Sequence, residues 1–342
     1  MPGITFLIGN GFDLNVGLKT RYAQFYEYYI KKYPNDFFSE SMKRDIELWS
    51  DLEVALGKST EQVPEGKENS FGDSIDLLEI SLAEYLQREQ ERIKIAEDQQ
   101  EDIAKSMEQY LVKFYQEFPL EHRRNIEKII KGCRVEMIYS FISFNYTNVL
   151  DQCVETTKKH LNGNKLGYYT TANGQQYFNV LGNIEHIHGT LEREMILGVN
   201  DVEQIADKRF SENLFYRQFM IKEDANRRFA QNKIERVKEL IDNSKIIIIF
   251  GMSIGETDRM WWRYIGQWLQ TSDDHRLIIY IKKNLPERLL TARERFLMEN
   301  KVLERFKELS QSTDKWESVE NKIYIICNSN IFTFSILNDE LQ

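Results

Sequence analysis

Apolar residues fall into two kinds of pattern along this chain. Short β-branched and aromatic runs recur at Ile4–Ile8, Met137–Phe144, Val180–His188, Met195–Val199, Ile246–Phe250, Leu277–Ile281 and Ile323–Cys327. Runs without an alternating polar face suit strands covered on both sides, as in a parallel sheet. Most are separated by segments with helical spacing, so the pattern predicts an α/β fold with a mostly parallel sheet. Between Tyr22 and about Lys131 no strand pattern occurs. Apolar positions there follow helical spacing, through Leu77, Leu78, Leu82, Tyr85 and Leu86 and then Ile103, Met107, Leu111 and Phe114. This predicts a helical insertion over residues 22–131 that splits a core made of residues 1–21 and 132–342. A second helical segment, residues 203–243, precedes the strand at Ile246. Glu61–Ser70 and Asn162–Gln176 read as loops.

Composition narrows the class without naming a chemistry. The 342 residues, 42% hydrophobic and 29% charged, suffice for a large core and exclude disordered, collagen-like and disulfide-scaffold classes. Forty-five basic against 54 acidic residues leave a net charge of −9, so no global field draws the chain to nucleic acid. Three scattered cysteines (Cys133, Cys153, Cys327) form no CxxC pair, which argues against zinc ribbons and for a reducing compartment. No basic region precedes the first apolar stretch, which ends at Gly9, and the longest apolar run, Ile246 to Met252, is too short for a bilayer. The expectation is a cytoplasmic protein with no membrane partner.

Four motifs sit where strands end. Ile8-Gly9-Asn10-Gly11-Phe12-Asp13-Leu14 follows the opening strand and enters a helix. Its glycines permit a tight turn, and N–H groups at a helix start can hold a phosphate. The dinucleotide fingerprint would need a glycine at Leu14, and the next one is Gly17; the alternative is a turn whose glycines serve geometry alone. Ser143-Phe144-Asn145-Tyr146-Thr147-Asn148 closes a second strand. Asn145 there can donate and accept, as holding a ribose hydroxyl or a water requires, or it can be a turn or capping residue.

His186-Ile187-His188-Gly189-Thr190 closes a third strand. His188 is the candidate base, since an ordinary histidine titrates near neutrality and Gly189 leaves room for a ligand. His186 reads equally as a buried structural residue, and with only five histidines in the chain no metal site is expected. Phe250-Gly251-Met252-Ser253-Ile254-Gly255-Glu256-Thr257-Asp258 follows the strongest strand. Gly251 and Ser253 could form a second phosphate- or ribose-binding turn, or the segment could be a loop that caps a helix carrying Trp261, Tyr264 and Trp268. Trp49-Ser50-Asp51-Leu52-Glu53 offers two acids, for which a solvated or capping role competes with a place in a cleft.

In their order, GNGFDLNVGLKTRY, WSDLE, SFNYT, IHGT, ILGVND and FGMSIGETD resemble the signature set of the bacterial abortive-infection AbiH family, whose members are associated with phage defence. The blocks run from the first strand to about residue 260. More distantly, the order is similar to the sirtuin-type NAD-binding fold, which implies a Rossmann-like core with the large helical insertion. By that resemblance Gly9, Gly11 and Gly17 match the first loop, with Asn10, Phe12 and Asp13 inside it. Asn145 matches the catalytic asparagine, His188 the catalytic histidine, Gly198 the FG turn, and Gly251 with Ser253 the late glycine–serine turn, with Asp258 beyond it.

The resemblance implies that asparagine positions water and ribose while histidine acts on a ribose hydroxyl. His188 and Gly198 leave no room for the zinc ribbon of sirtuin deacylases. What is implied is NAD as substrate or ligand, without metal, and hydrolysis of the nicotinamide–ribose bond of NAD or a related nucleotide. The alternative is a non-catalytic nucleotide- or ADP-ribose-sensing module. The implied partners are the nucleotide, a phage-derived trigger and further copies of the chain.

Overall fold

The computed structural model of the chain describes residues 2–228, 232–282, 291–311 and 316–337. Seven strands form one sheet: β1 (Gly3–Ile8), β2 (Met137–Ser143), β3 (Lys165–Thr170), β4 (Gln176–His186), β5 (Ser244–Phe250), β6 (Arg276–Ile281) and β7 (Ile323–Cys327). Their order is β3-β4-β2-β1-β5-β6-β7, and all neighbours are parallel except β3 with β4. The six parallel strands have the doubly wound Rossmann arrangement, with the chain leaving β1 to either side. Such a sheet opens a crevice beyond the carboxyl ends of its strands, at the point where the order reverses. In register, Ile8 lies beside Ser143 and Phe250, and Ser143 beside His186. The loops that begin at Gly9, Phe144, Ile187 and Gly251 therefore emerge along one edge.

The long excursion between β1 and β2 is helical. It holds α1 (Gly11–Asn15), α2 (Tyr22–Lys32), α3 (Phe37–Arg44), α4 (Leu52–Ser59), α5 (Glu68–Gln90), α6 (Gln100–Val112) and α7 (Leu120–Gly132). After β2 come α8 (Val149–His160), then α9 (Lys208–Ser211), α10 (Leu214–Met220), α11 (Lys222–Arg228) and α12 (Lys233–Asp242). The last third adds α13 (Arg259–Gln270), α14 (Ala292–Ser310) and α15 (Trp316–Glu320). No described helix is long and apolar enough to cross a membrane.

Three apolar cores explain which helices go where. Phe6 and Phe141 on one sheet face pack with Phe114, Ile126, Val154 and Phe332, so α6, α7 and α8 cover that face. Leu7, Ile142 and Ile247 on the other face pack with Val237, Trp262, Trp268 and Phe306 from α12, α13 and α14. The third core belongs to α2–α5: Phe25, Phe38, Trp49, Leu52 and Leu78 bury against Leu197, Val199, Phe210 and Met220. Thus the front of the insertion and the 197–221 segment form one body over the strand ends. Apolar side chains buried in this way supply the main driving force for both arrangements.

Three local readings change. Met195–Val199 is not a strand. Gly189 (φ +77) turns the chain out of β4, and residues 195–199 run into the helical core with Leu197 and Val199 buried, touching sheet-like pairing only at the Val199–Ile221 bridge. Their apolar pattern records burial, not a ladder. Within Asn162–Gln176, β3 forms the antiparallel edge strand. Gly167 (φ +86) and an irregular register between Lys165 and Tyr168 break its alternation, which hides it from a period-two pattern. In Glu61–Ser70 the irregular part ends early, since α5 begins at Glu68.

Candidate functional site

The turns after β1 and β5 interlock. Gly9 N–H donates to the Phe250 carbonyl at 3.0 Å, Gly11 N–H to the Gly251 carbonyl at 2.7 Å, and Phe12 N–H back to the Gly9 carbonyl at 2.9 Å. A Cβ on Gly11 would lie 2.4 Å from the Gly251 Cα, and Gly251 itself holds φ +70. These glycines are required for backbone-to-backbone approach. The three amides available to cradle a phosphate are already spent, and α1, at five residues, adds little dipole. Asn10 reaches the crevice but folds its side chain onto Thr20, donating to its carbonyl at 2.9 Å and accepting from its hydroxyl. Phe12 is buried in the core against Phe332, and Gly17 (φ +96) packs against Leu337; neither lines the crevice.

Asn145 projects into the crevice from the end of β2. Its Nδ2 donates to the Gly9 carbonyl and to Asp13 Oδ1, each at 3.1 Å. The Thr147 hydroxyl donates to Asp13 Oδ2 at 2.6 Å. Both amide hydrogens of Asn145 are thus committed, and only Oδ1 remains to meet a ligand. Asp13 is buried, and burial pushes its carboxyl up to about 7 against the Thr147 and Asn145 donors. It faces Asn145 from beneath and does not present a charge to the main cavity. His186 braces the same loop, with Nδ1 3.1 Å from the Asn145 carbonyl and Nε2 2.9 Å from Asp151. Burial opposes its protonation, but the Asp151 carboxylate and the Asn145 carbonyl raise its pKa overall. His186 is therefore a structural histidine. Among the described residues, no group of three His, Cys, Asp or Glu side chains could hold a metal ion.

The helical insertion supplies the opposite wall. Trp49 is fully buried, with Nε1 donating to Ser41 at 3.1 Å. Asp51 caps α4 through Oδ1, which accepts from Glu53 N and Val54 N. That cap sends Glu53 inward, where its carboxylate meets Lys222 at 2.5 Å. Lys222 Nζ lies 3.5 Å from His188 Nε2, and Asp258 lies 3.8 Å from the same nitrogen. Burial, with Lys222 beside it, holds the His188 pKa down at about 4 against the pull of Asp258. His188 is neutral at pH 7, and its buried Nδ1 has no partner among the described residues. Burial pushes Glu53 up to about 7 against the Lys222 ammonium.

These side chains enclose a cavity of about 290 Å³ lined, among the described residues, by the acids Asp51, Glu53 and Asp258 and by the cation Lys222. Gly9, Asn10, Asn145, His188, Gly251 and Ser253 line it, as do Tyr22 and Tyr146. A smaller chamber of about 100 Å³ continues past Asn145 toward Asp13 and Thr147. Gly198 does not reach either, because it is packed against the Met220 carbonyl. So the structure brings together Gly9, Asn10, Asn145, His188, Gly251, Ser253 and Asp258, and leaves Phe12, Gly17 and Gly198 in supporting positions.

Lys222, Tyr22 and Tyr146 line the cavity without a spacing or neighbour in the sequence that marks them as site residues. Glu53 was visible within Trp49–Glu53 but could not be told from its capping neighbour Asp51. The buried Trp49 four residues before Glu53 was the available signal. Nothing local marks Lys222.

A model of the bacteriophage abortive infection AbiH family matches residues 5–280 of the chain, which includes every residue of the cavity. Among curated proteins, none matches.

Proposed function

The chain belongs to the bacteriophage abortive infection AbiH family, and from that premise we propose that its cleft binds NAD or a related nucleotide and hydrolyses the nicotinamide–ribose bond. The observation that carries this reading is the convergence of Asn145 and His188 with two carboxylates, Glu53 and Asp258, at the switch point of a Rossmann-ordered sheet. Cleavage of this bond sends the electron pair of the C1′–N bond to the pyridinium nitrogen, so neutral nicotinamide leaves and an oxocarbenium-like ribosyl centre forms. Carboxylates held in a partly dry cavity favour both the cationic ring of the substrate and the positive charge that develops on ribose. Asn145 Oδ1 holds the water that adds to C1′, because both of its amide hydrogens are engaged below. Neutral His188, which accepts from the Lys222 ammonium at Nε2 and so keeps its proton on Nδ1, orients the ribose. The water's second proton passes to a carboxylate, and Glu53, with its pKa near neutrality, is suited to take it. The products are ADP-ribose, nicotinamide and a proton. In phage defence, the α2–α5 body that closes the cavity would couple this chemistry to a phage-derived trigger or to association with further copies.

Incubation of the purified protein with NAD, followed by chromatographic assay of nicotinamide, tests the reading. Asn145→Ala and His188→Ala are each expected to lower release by roughly a hundredfold or more, the usual scale for removing a positioned catalytic group. Release unchanged in both variants would overturn the assignment. A second reading, a nucleotide- or ADP-ribose-sensing module without turnover, is favoured by the Glu53–Lys222 pair, which already neutralises part of the cavity. It predicts saturable ADP-ribose binding with no nicotinamide released.

A further inference from the structure

Beside the acidic cavity, and sharing His188 and Lys222 with it, lies a second cavity of about 320 Å³ against α12 and α13. Its charge has the other sign. Lys238 from α12 and Arg259 and Arg263 from α13 join Lys222, opposite Asp201 and Glu223. Two of these cations are already compensated, Arg259 by Glu256 and Lys222 by Glu53. Lys238 and Arg263 are different. Lys238 Nζ lies 5.6 Å from the centre of the Tyr264 ring, and the Arg263 Nε–H is buried with no acceptor among the described residues. Among the described residues no carboxylate pairs with Arg263 or Lys238, so a bound oxyanion would supply the counter-charge, met through the terminal amino groups of the guanidinium. Met260 and Tyr264 add apolar surface to the same cavity.

We propose that this cavity is a phosphate subsite, in which Arg263 and Lys238 hold the pyrophosphate of a dinucleotide whose ribose and base enter the acidic cavity past His188. The proposal rests on the nucleotide reading of the cleft and deepens it, because it makes the substrate a phosphorylated nucleoside and not a free one. The division follows from charge. Asp51, Glu53 and Asp258 repel phosphate from the inner cavity, and the amides of Gly9, Gly11 and Phe12 are engaged within the fold. An arginine fork meets two phosphate oxygens at once, while a lysine adds a point charge.

Titration calorimetry on the whole chain tests this with three probes: inorganic pyrophosphate, ADP-ribose and nicotinamide riboside. Pyrophosphate and ADP-ribose are expected to compete and to bind more weakly as salt rises. Arg263→Gln and Lys238→Gln should each weaken both by roughly tenfold, the scale of one charge-assisted hydrogen bond, and leave the riboside unaffected. Lys238 is a partly exposed helix position, so its variant keeps the test usable if Arg263→Gln folds poorly. ADP-ribose binding that neither variant weakens overturns the subsite and leaves the nucleotide reading standing. Pyrophosphate binding that the variants abolish, with no binding of ADP-ribose or riboside, supports the subsite and overturns the nucleotide reading. Binding of no probe by the unaltered chain overturns both.

Discussion

Asn145 Nδ2 stands 3.1 Å from Asp13 Oδ1, so a residue at the end of β2 is held by a carboxylate from the first turn of α1. Asp13 also receives the Thr147 hydroxyl, and between them the three side chains fix which atom of Asn145 faces the cavity. Asp13 is a positioning residue in this arrangement. Asp13→Ala is expected to cost about 1–3 kcal/mol of stability, because it leaves buried donors unmet. Asp13→Asn should keep the fold. If the cleft hydrolyses NAD, Asp13→Asn lowers kcat with KM little changed. A fall in kcat/KM that comes wholly from KM would show that Asp13 does not act through Asn145.

The burial of Asp13 also makes stability depend on pH. Its folded pKa, about 7, lies above its ordinary 3.8, so the folded state retains a proton that the unfolded chain releases. The stabilisation is whole below about pH 4 and is lost as pH rises through 7. His188 works in the other direction: with its pKa lowered to about 4, its contribution is present above pH 6.5 and lost as pH falls toward 4. The Asp13 share is therefore read as the difference between the unaltered chain and Asp13→Asn. Urea denaturation should show that difference changing by on the order of 2 kcal/mol between pH 5 and pH 8. A constant difference across that range would mean Asp13 titrates normally.

Two glycines separate geometry from propensity. Gly251→Ala places a Cβ 2.7 Å from Phe12 N at a backbone with φ +70, where the β1 and β5 turns interlock. A loss of roughly 2–4 kcal/mol is expected, from αL strain together with the displaced turn. Gly72 sits inside α5 with open space around it, so Gly72→Ala should stabilise by about 1 kcal/mol. Thermal melts of the two variants are expected to shift in opposite directions.

The Glu53–Lys222 pair joins the insertion to the segment after α10 in a site where both groups are buried. Lys222→Ala removes the cation that holds the Glu53 pKa down, so Glu53 takes up a proton at neutral pH, and the lost pair should cost about 1–3 kcal/mol. Replacing both, as Glu53→Gln with Lys222→Met, should recover most of that loss. A double-mutant cycle by denaturation measures the coupling, and additive losses would show that the pair contributes no interaction of its own.

The strands β1, β2, β5, β6 and β7 were legible because each is a continuous apolar run covered on both faces. β3 was not, since Gly167 interrupts its alternation and only Leu166 and Tyr169 are buried. Met195–Val199 imitates a strand for the complementary reason: burial in a helical core writes the same apolar letters as burial in a sheet. The site shows a similar split. Asn145 and His188 stand at strand ends with distinctive neighbours, whereas Lys222 sits in an ordinary helix start and Glu53 beside a capping acid.

The layered α/β plan, the helical excursion after the first strand and the order of the strand-end motifs are readable along the chain. These depend on periodicity and on local turn chemistry, which are written residue by residue. Packing in three dimensions makes Gly9, Gly11 and Gly251 serve each other and spend their amides, lets Asp13 turn Asn145 into an acceptor, and lays Glu53 of the insertion against Lys222, which in turn reaches His188. Those outcomes depend on contacts between residues more than a hundred positions apart. Such contacts are set by how the three cores pack and by which charges can share one buried space, and neither is encoded in local spacing.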